Sequence, residues 1–244
     1  MRSSVRLVVS SYVVVLAGCS HATGSTRAPA AYRAGLGHAD AIFAQTLAAL
    51  DALDLPADTI FVVVGDHGEA LGEHGTLSHG RFLHDEMVRV PMLVRAPGRL
   101  PAGRVVQGSC GLVDLAPTLL ELAEASVPGA FDGRSVVPRA MGEAQGHPVI
   151  AEEDRTVVGA AAPRALRVVS VRTDAAKWML TYDVRTRQVL GTELFDLATD
   201  PGETKPLVGV EPAHFGAVFC NAVAQARSRI PGQSAASPCE VAAR

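Results

Sequence analysis

Residues 59–65 read Thr-Ile-Phe-Val-Val-Val-Gly, an unbroken β-branched and aromatic run that stops at Asp66-His67-Gly68. A strand apolar on both faces must be covered on both faces, as in the buried parallel sheet of an α/β protein. The run therefore predicts a strand inside a sheet, not on its edge. Upstream, Leu36, Ala39, Phe43, Leu47 and Leu50 recur at spacings of three and four, one face of a helix between Gly35 and Asp54. Leu55-Pro56-Ala57-Asp58 ends that helix. Helix, break and buried strand make an α/β unit.

The rest of the chain extends the pattern. Pro91 to Arg95 reads as a second short buried strand, and Val113 to Ala123 as a helix with Pro117 in its first turn. Residues 148–152, 166–172, 178–182 and 189–195 read as strands separated by turn signals, which predicts antiparallel hairpins. Residues 212–229 read as a last helix. With 48% hydrophobic and 19% charged residues the chain is not of the disordered class. Its 244 residues allow one large domain with a small extension. Lys and Arg number 22 against 25 Asp and Glu, which excludes a strongly basic nucleic-acid binder.

The N-terminus reads as a targeting segment. Arg2 and Arg6 precede a short apolar stretch, Leu7 to Leu16, too short to span a bilayer as a helix. It ends in Leu16-Ala17-Gly18-Cys19-Ser20, which resembles the lipobox of bacterial lipoproteins. That resemblance implies cleavage before Cys19, lipid attachment to it, and anchoring to a cell-envelope membrane. Residues 19–31 then form a tether rich in Ser, Thr, Gly, Ala and Pro. With Cys19 lipidated, Cys110, Cys220 and Cys239 remain. Two readings stay open: a Cys220–Cys239 loop, worth about 3 kcal/mol, or three unpaired thiols.

The chemistry gathers after the first strand. Four of the eight histidines lie between 67 and 84, among glycines at 65, 68, 72, 75 and 80. In open α/β sheets ligands collect just past the carboxyl ends of strands, where this loop begins. A carboxylate and an imidazole side by side there, Asp66 and His67, suit one divalent metal. The spacings do not match HExxH or a C2H2 finger.

The segment Gly65-Asp66-His67-Gly68-Glu69-Ala70-Leu71-Gly72-Glu73-His74-Gly75 resembles a metal-binding motif of the sulfatase family, within the alkaline-phosphatase superfamily. The resemblance continues in order. It takes in Glu86 with Arg89-Val90-Pro91, Arg95-Ala96-Pro97-Gly98, Val113 to Leu120, Asp132-Gly133-Arg134-Ser135, Arg172-Thr173 with Lys177-Trp178, and Leu194 to Leu197 with Asp200-Pro201-Gly202-Glu203. It implies a partial alkaline-phosphatase-like α/β sandwich over 32–150, a small antiparallel β segment over 151–207, and a C-terminal helix and tail over 208–244. It implies a sulfuric ester hydrolase using one divalent metal, calcium first, with manganese or magnesium as alternatives. Asp66 and His67 match the metal pair, and His79 stands where relatives place a basic side chain on the sulfate. Glu69, Glu73 and His74 would brace the loop. Asp114 reads as a helix cap, and Asp132, Arg134 and Asp196 as structural.

The departure from the family is as informative. Complete sulfatases carry two further metal aspartates and a Cys or Ser followed by x-Pro-x-Arg, the source of the formylglycine nucleophile. No Cys or Ser here has that sequence after it. The expectation is a C-terminal half, inactive alone, or completed by a separate chain carrying the missing half. The alternatives are a phosphomonoesterase or phosphodiesterase of the same superfamily, or a non-catalytic surface-anchored binding protein. The ligand in every case is a sulfate-ester or phosphate-ester small molecule or glycan. An uncovered side of the sheet and an exposed apolar patch should accompany the missing half.

Overall fold

A computed structural model describes residues 14–16, 30–53, 55–80, 82–126, 131–157, 163–208, 216–217, 219–223 and 239. Cys19 lies outside them, as do residues 20–29 of the tether and most of the 212–229 helix. In chain order the elements are β1 (Val14–Leu16), α1 (Ala30–Asp51), β2 (Phe61–Val64), β3 (Ala70–Leu71), β4 (Leu77–Ser78), α2 (Asp85–Val88), β5 (Met92–Arg95), β6 (Val105–Val106), α3 (Leu115–Leu122), α4 (Val137–Met141), β7 (Val149–Val157), β8 (Arg164–Arg172), β9 (Ala176–Asp183) and β10 (Val189–Asp196).

The first sheet has the order β2-β5-β1-β6. One expectation changes here. The apolar run forms β2, but among the described strands β2 is an edge, and it pairs antiparallel with β5, Phe61 facing Arg95 and Val64 facing Met92. Val63 is 38% exposed on it. A continuous apolar run reports what covers a strand's faces; its hydrogen-bonding edges are decided by distant segments that leave no mark in it. Val14–Leu16, inside the stretch that reads as a leader, forms the strand between β5 and β6, antiparallel to the first and parallel to the second.

Met92, Val94, Ala96, Val106, Leu122, Val136 and Ala140 form the core of this half, with Ile60, Val62 and Val64 of the β2 segment against it. Helix α1 contributes little: Phe43, Leu47 and Leu50 are half-buried, while Tyr32, Leu36 and Ile42 are exposed. The loop 131–135 is tied to α3 by Asp114, which is fully buried. Its carboxylate accepts the Gly111 N–H at 2.8 Å and the Arg134 N–H at 2.7 Å, and lies 3.2 Å from His147 Nε2. Asp114 is thus a latch between three segments, more than a helix cap.

The second sheet is the antiparallel meander β7-β8-β9-β10. Alternation along β8 and β9 gives it two apolar faces. Val169, Val171, Leu180 and Tyr182 pack with Phe219, Ala222 and Val223 of a C-terminal helical stretch. Val168 and Met179 pack with Leu83, Phe195 and Leu197 on the other side. Cys220 and Cys239 both adjoin the first of these clusters, and no disulfide joins them.

Candidate functional site

The Gly65 N–H donates to Pro91 O at 3.1 Å, extending the β2–β5 pairing by one residue. The chain then crosses over α2: the Gly68 N–H donates to Met87 O at 2.7 Å. A Cβ at position 68 would lie 2.0 Å from Glu86 O. The glycine of Asp-His-Gly is therefore required by a backbone crossing. Gly68→Ala is expected to destabilise the chain by about 1–3 kcal/mol, the scale of overpacking in a close-packed region. A urea midpoint within error of the parent's would remove this account of the glycine.

β3 and β4 make a two-rung hairpin, Ala70 opposite Ser78 and Leu71 opposite Leu77. One step beyond the last rung, Glu69 faces His79, and its Oε2 lies 2.9 Å from His79 Nδ1. The turn of the hairpin needs a left-handed backbone at Gly72, φ 118°, and at His74, φ 48°. Glu73 closes it, its carboxylate accepting the Leu71 N–H at 2.6 Å.

His67 comes to the same place from the strand end, its ring centroid 4.3 Å from that of His79. One ligand atom each from His67, Glu69 and His79 lies within 4.8 Å of the others. Asp66 Oδ2 stands 3.9 Å from His67 Nε2, its side chain 92% exposed. Because Gly68 O can only accept, the 2.8 Å contact with His67 Nδ1 puts the ring proton on Nδ1 and leaves the Nε2 lone pair free. Two imidazoles and the Glu69 carboxylate, with Asp66 beside His67, are a chemically competent donor set for a divalent ion.

His67, Glu69 and His79 are thus brought together, Asp66 lies beside His67, and Glu69 contacts His79 at 2.9 Å. Glu73 and His74 lie in the hairpin turn instead. His74 exposes its backbone while its ring is largely covered, stacked on His84 at 3.7 Å. Its Nε2 donates to Glu203 O at 2.7 Å and its Nδ1 to Glu86 Oε1 at 2.8 Å. Burial opposes the charge on His74, but these two acceptors outweigh it and hold the imidazole above its usual value.

Behind the loop lies a buried ionic cluster that sequence patterning does not reveal. Lys177, 0% exposed, places Nζ 2.9 Å from Asp85 Oδ1 and 2.8 Å from Glu203 Oε1. Glu203 also lies 3.0 Å from His84 Nδ1 and accepts the Asp85 N–H at 3.0 Å. Arg172 Nε reaches Asp85 at 3.2 Å and its Nη1 donates to Ser109 Oγ at 2.9 Å. Burial raises the Asp85 carboxyl, yet Lys177 and Arg172 outweigh it and hold it at about 2. The one available signal was Lys177 itself, one of two lysines in the chain, set among Ala175, Ala176, Trp178 and Met179.

A cavity of about 340 Å³ opens beside Asp66 and His67, with Arg89, Ser109, Cys110 and Arg172 in its walls. Burial, and then the Asp114 carboxylate, push the Cys110 thiol up, so it is protonated at neutral pH and a poor nucleophile.

The sulfatase profile matches residues 13–125, and that of the N-sulphoglucosamine sulphohydrolase C-terminal region matches 72–215, more than half of the chain. Mouse steryl-sulfatase is 32% identical over 208 residues, 70% of this chain and 32% of the relative. An arylsulfatase of Clostridium perfringens is 34% identical, over 45% of this chain and 23% of the relative. The chain spans a third or less of the length of these relatives. BT4656, solved with its substrate D-glucosamine-2-N,6-O-disulfate, superposes with a TM-score of 0.57 at 26% identity, over 75% of this chain and 36% of that one. The phosphonate monoester hydrolase of Silicibacter pomeroyi gives 0.61 at 26%, over 80% and 39%. Both cover the alkaline-phosphatase-like fold only in part.

Proposed function

We propose, from the premise that the chain belongs to the sulfatase family, that it carries the metal-binding and anion-contacting portion of a sulfuric ester hydrolase. The observation that supports this reading best is the meeting of Glu69 and His79 at the open end of the hairpin, beside Asp66 and His67 at the strand end. Asp66, His67 and Glu69 would hold the ion, with His79 at its side. A divalent ion there supplies Lewis acidity to a sulfate oxygen. Glu69 orients the His79 ring through Nδ1, and as an imidazolium, with a second N–H at Nε2, that side chain would donate to the ester's charged oxygens. Calcium is the ion that the resemblance implies, and two imidazoles bring manganese alongside it.

The Cys or Ser followed by x-Pro-x-Arg that supplies the family's nucleophile does not occur in the sequence, and Cys110 is held as a thiol. Turnover therefore needs a nucleophile from outside these residues, in the same protein or in a separate chain. The exposed Tyr32, Leu36 and Ile42 of α1 and the open edge of β2 are where such a complement would pack. The phosphonate hydrolase likeness favours a second reading, a phosphate or phosphonate ester hydrolase built on the same loop. Attachment to a cell-envelope membrane through lipid on Cys19 is a separate part of the proposal.

Titration with Mn2+ and Ca2+ tests the ion site. The chain should bind weakly, and Asp66→Ala and His79→Ala should each lower affinity by at least about tenfold, the scale seen for well-placed metal-site partners. An aryl sulfate should not turn over with the chain alone. Equal affinity in parent and both variants, or turnover without a partner, would overturn the proposal.

A further inference from the structure

A larger cavity, about 530 Å³, adjoins the one beside Asp66 and His67 and shares Arg89 and Arg172 with it. Its walls carry four guanidinium groups, Arg89, Arg104, Arg139 and Arg172, against one carboxylate, Asp174. Asp85, outside the cavity, pairs with Arg89 at 3.7 Å and with Arg172 at 3.2 Å, so four guanidinium groups meet two carboxylates and a local excess of positive charge remains.

The wall is built, not incidental. Arg139 projects from α4 and is only 9% exposed. Its Nη1 donates to Ser109 O at 2.5 Å, its Nη2 donates to Gln107 O, and Nη2 lies 3.9 Å from Asp174 Oδ1. Two glycines make room for it. A Cβ at Gly108 would lie 1.6 Å from Arg139 Nη2, and one at Gly146 would lie 2.9 Å from the same atom. Arg104 lines the same cavity, its Nη2 2.8 Å from where a Gly142 Cβ would be. Arg104 makes no ion pair or hydrogen bond among the described residues. Asp85 and Asp174 offset part of the repulsion among these like charges, and an added anion would offset the rest. Planar guanidinium forks match the oxygens of sulfate and carboxylate two at a time.

We propose that this cavity is an anion subsite for a second sulfate or carboxylate of a multiply charged ester whose reacting group lies beside Asp66 and His67. Arg89 and Arg172, common to both cavities, are the partition between the two anionic groups. The bridging part rests on the hydrolase reading; the anion subsite does not.

The test titrates the full chain with a heparin-derived sulfated tetrasaccharide. Arg104→Glu, at an exposed position, should weaken binding by about tenfold, with Arg104→Lys in between because it keeps the charge and loses the fork. Mn2+ binding should be unchanged in both variants. A desulfated tetrasaccharide that binds poorly assigns the subsite to sulfate, and a carboxyl-reduced one that binds poorly assigns it to carboxylate. Undiminished binding by both, or by Arg104→Glu with an unchanged circular dichroism spectrum, overturns the subsite. If the parent chain binds no divalent ion while the tetrasaccharide still depends on Arg104, the hydrolase reading fails and the subsite stands.

Discussion

Lys177→Met should cost the chain about 3–5 kcal/mol, the loss measured when one partner of a buried ion pair is removed. Asp85 and Glu203 would be left facing each other across the space that Nζ now occupies, with Arg172 and Arg89 the cations remaining beside Asp85. Small domains are stable by about 5–15 kcal/mol, so one substitution would consume a large part of the margin. The double variant Lys177→Met with Glu203→Gln should recover some of the loss, because one orphaned charge is removed with the cation. Urea unfolding measures both. A single-variant loss under about 1 kcal/mol, typical of an exposed pair, would show that the cluster is solvated.

The same cluster sets the acid limit. Asp85 titrates at about 2 in the fold against 3.8 unfolded. A depressed carboxyl contributes stability that is present above 3.8 and is lost as pH falls toward 2, about 2 kcal/mol in all. Lys177→Met removes the first of the two cations that depress it, so its acid transition should begin at higher pH. His74 has the opposite sign. Its folded value is raised above 6.5, so its contribution is complete below 6.5 and fades as pH rises through the folded value. His74→Gln should flatten the stability profile above neutral pH and leave the acid limb in place.

These groups show what the sequence could and could not convey. The meander β7 to β10 was legible because period-two apolar patterns separated by turns depend only on local order. The crowding of histidines between 67 and 84 marked the loop, since composition alone reveals it. Which side chains meet inside the loop was not legible: Glu69 faces His79 because the hairpin registers Ala70 with Ser78, a rung that no spacing rule specifies. Asp114 looked like a helix cap because its other partners, Arg134 and His147, lie 20 and 33 positions away. The edge position of β2 and the arginine-lined cavity were out of reach for the same reason. Each is assembled from segments that come together only in the fold.

A chain beginning at Cys19 should lose the first sheet. Val14, Val15 and Leu16 face Val94, Leu93 and Met92 of β5 on one side, and Val15 and Leu16 face Val105 and Val106 of β6 on the other. Without them β6 has no ladder partner among the described strands, and β5 keeps only β2. Val94 and Val106, both buried in the core cluster, would gain exposure. At about 1.5–3 kcal/mol for each valine fully exposed, the loss is on the order of 3–6 kcal/mol before the unpaired backbone groups are counted. That approaches the whole stability of a small domain. Urea unfolding of the full chain and of residues 19–244 measures the difference. Hydrogen exchange should show the β1-facing amides of 92–95 and the amides of 105–106 losing protection only in the shorter chain. The same comparison bears on processing, because a molecule cleaved before Cys19 cannot also contain β1. The intact mass of the protein extracted from a cell envelope reads which form exists. An acylated Cys19 terminus, together with a 19–244 chain as stable as the full one, would overturn the place of Val14–Leu16 in the sheet.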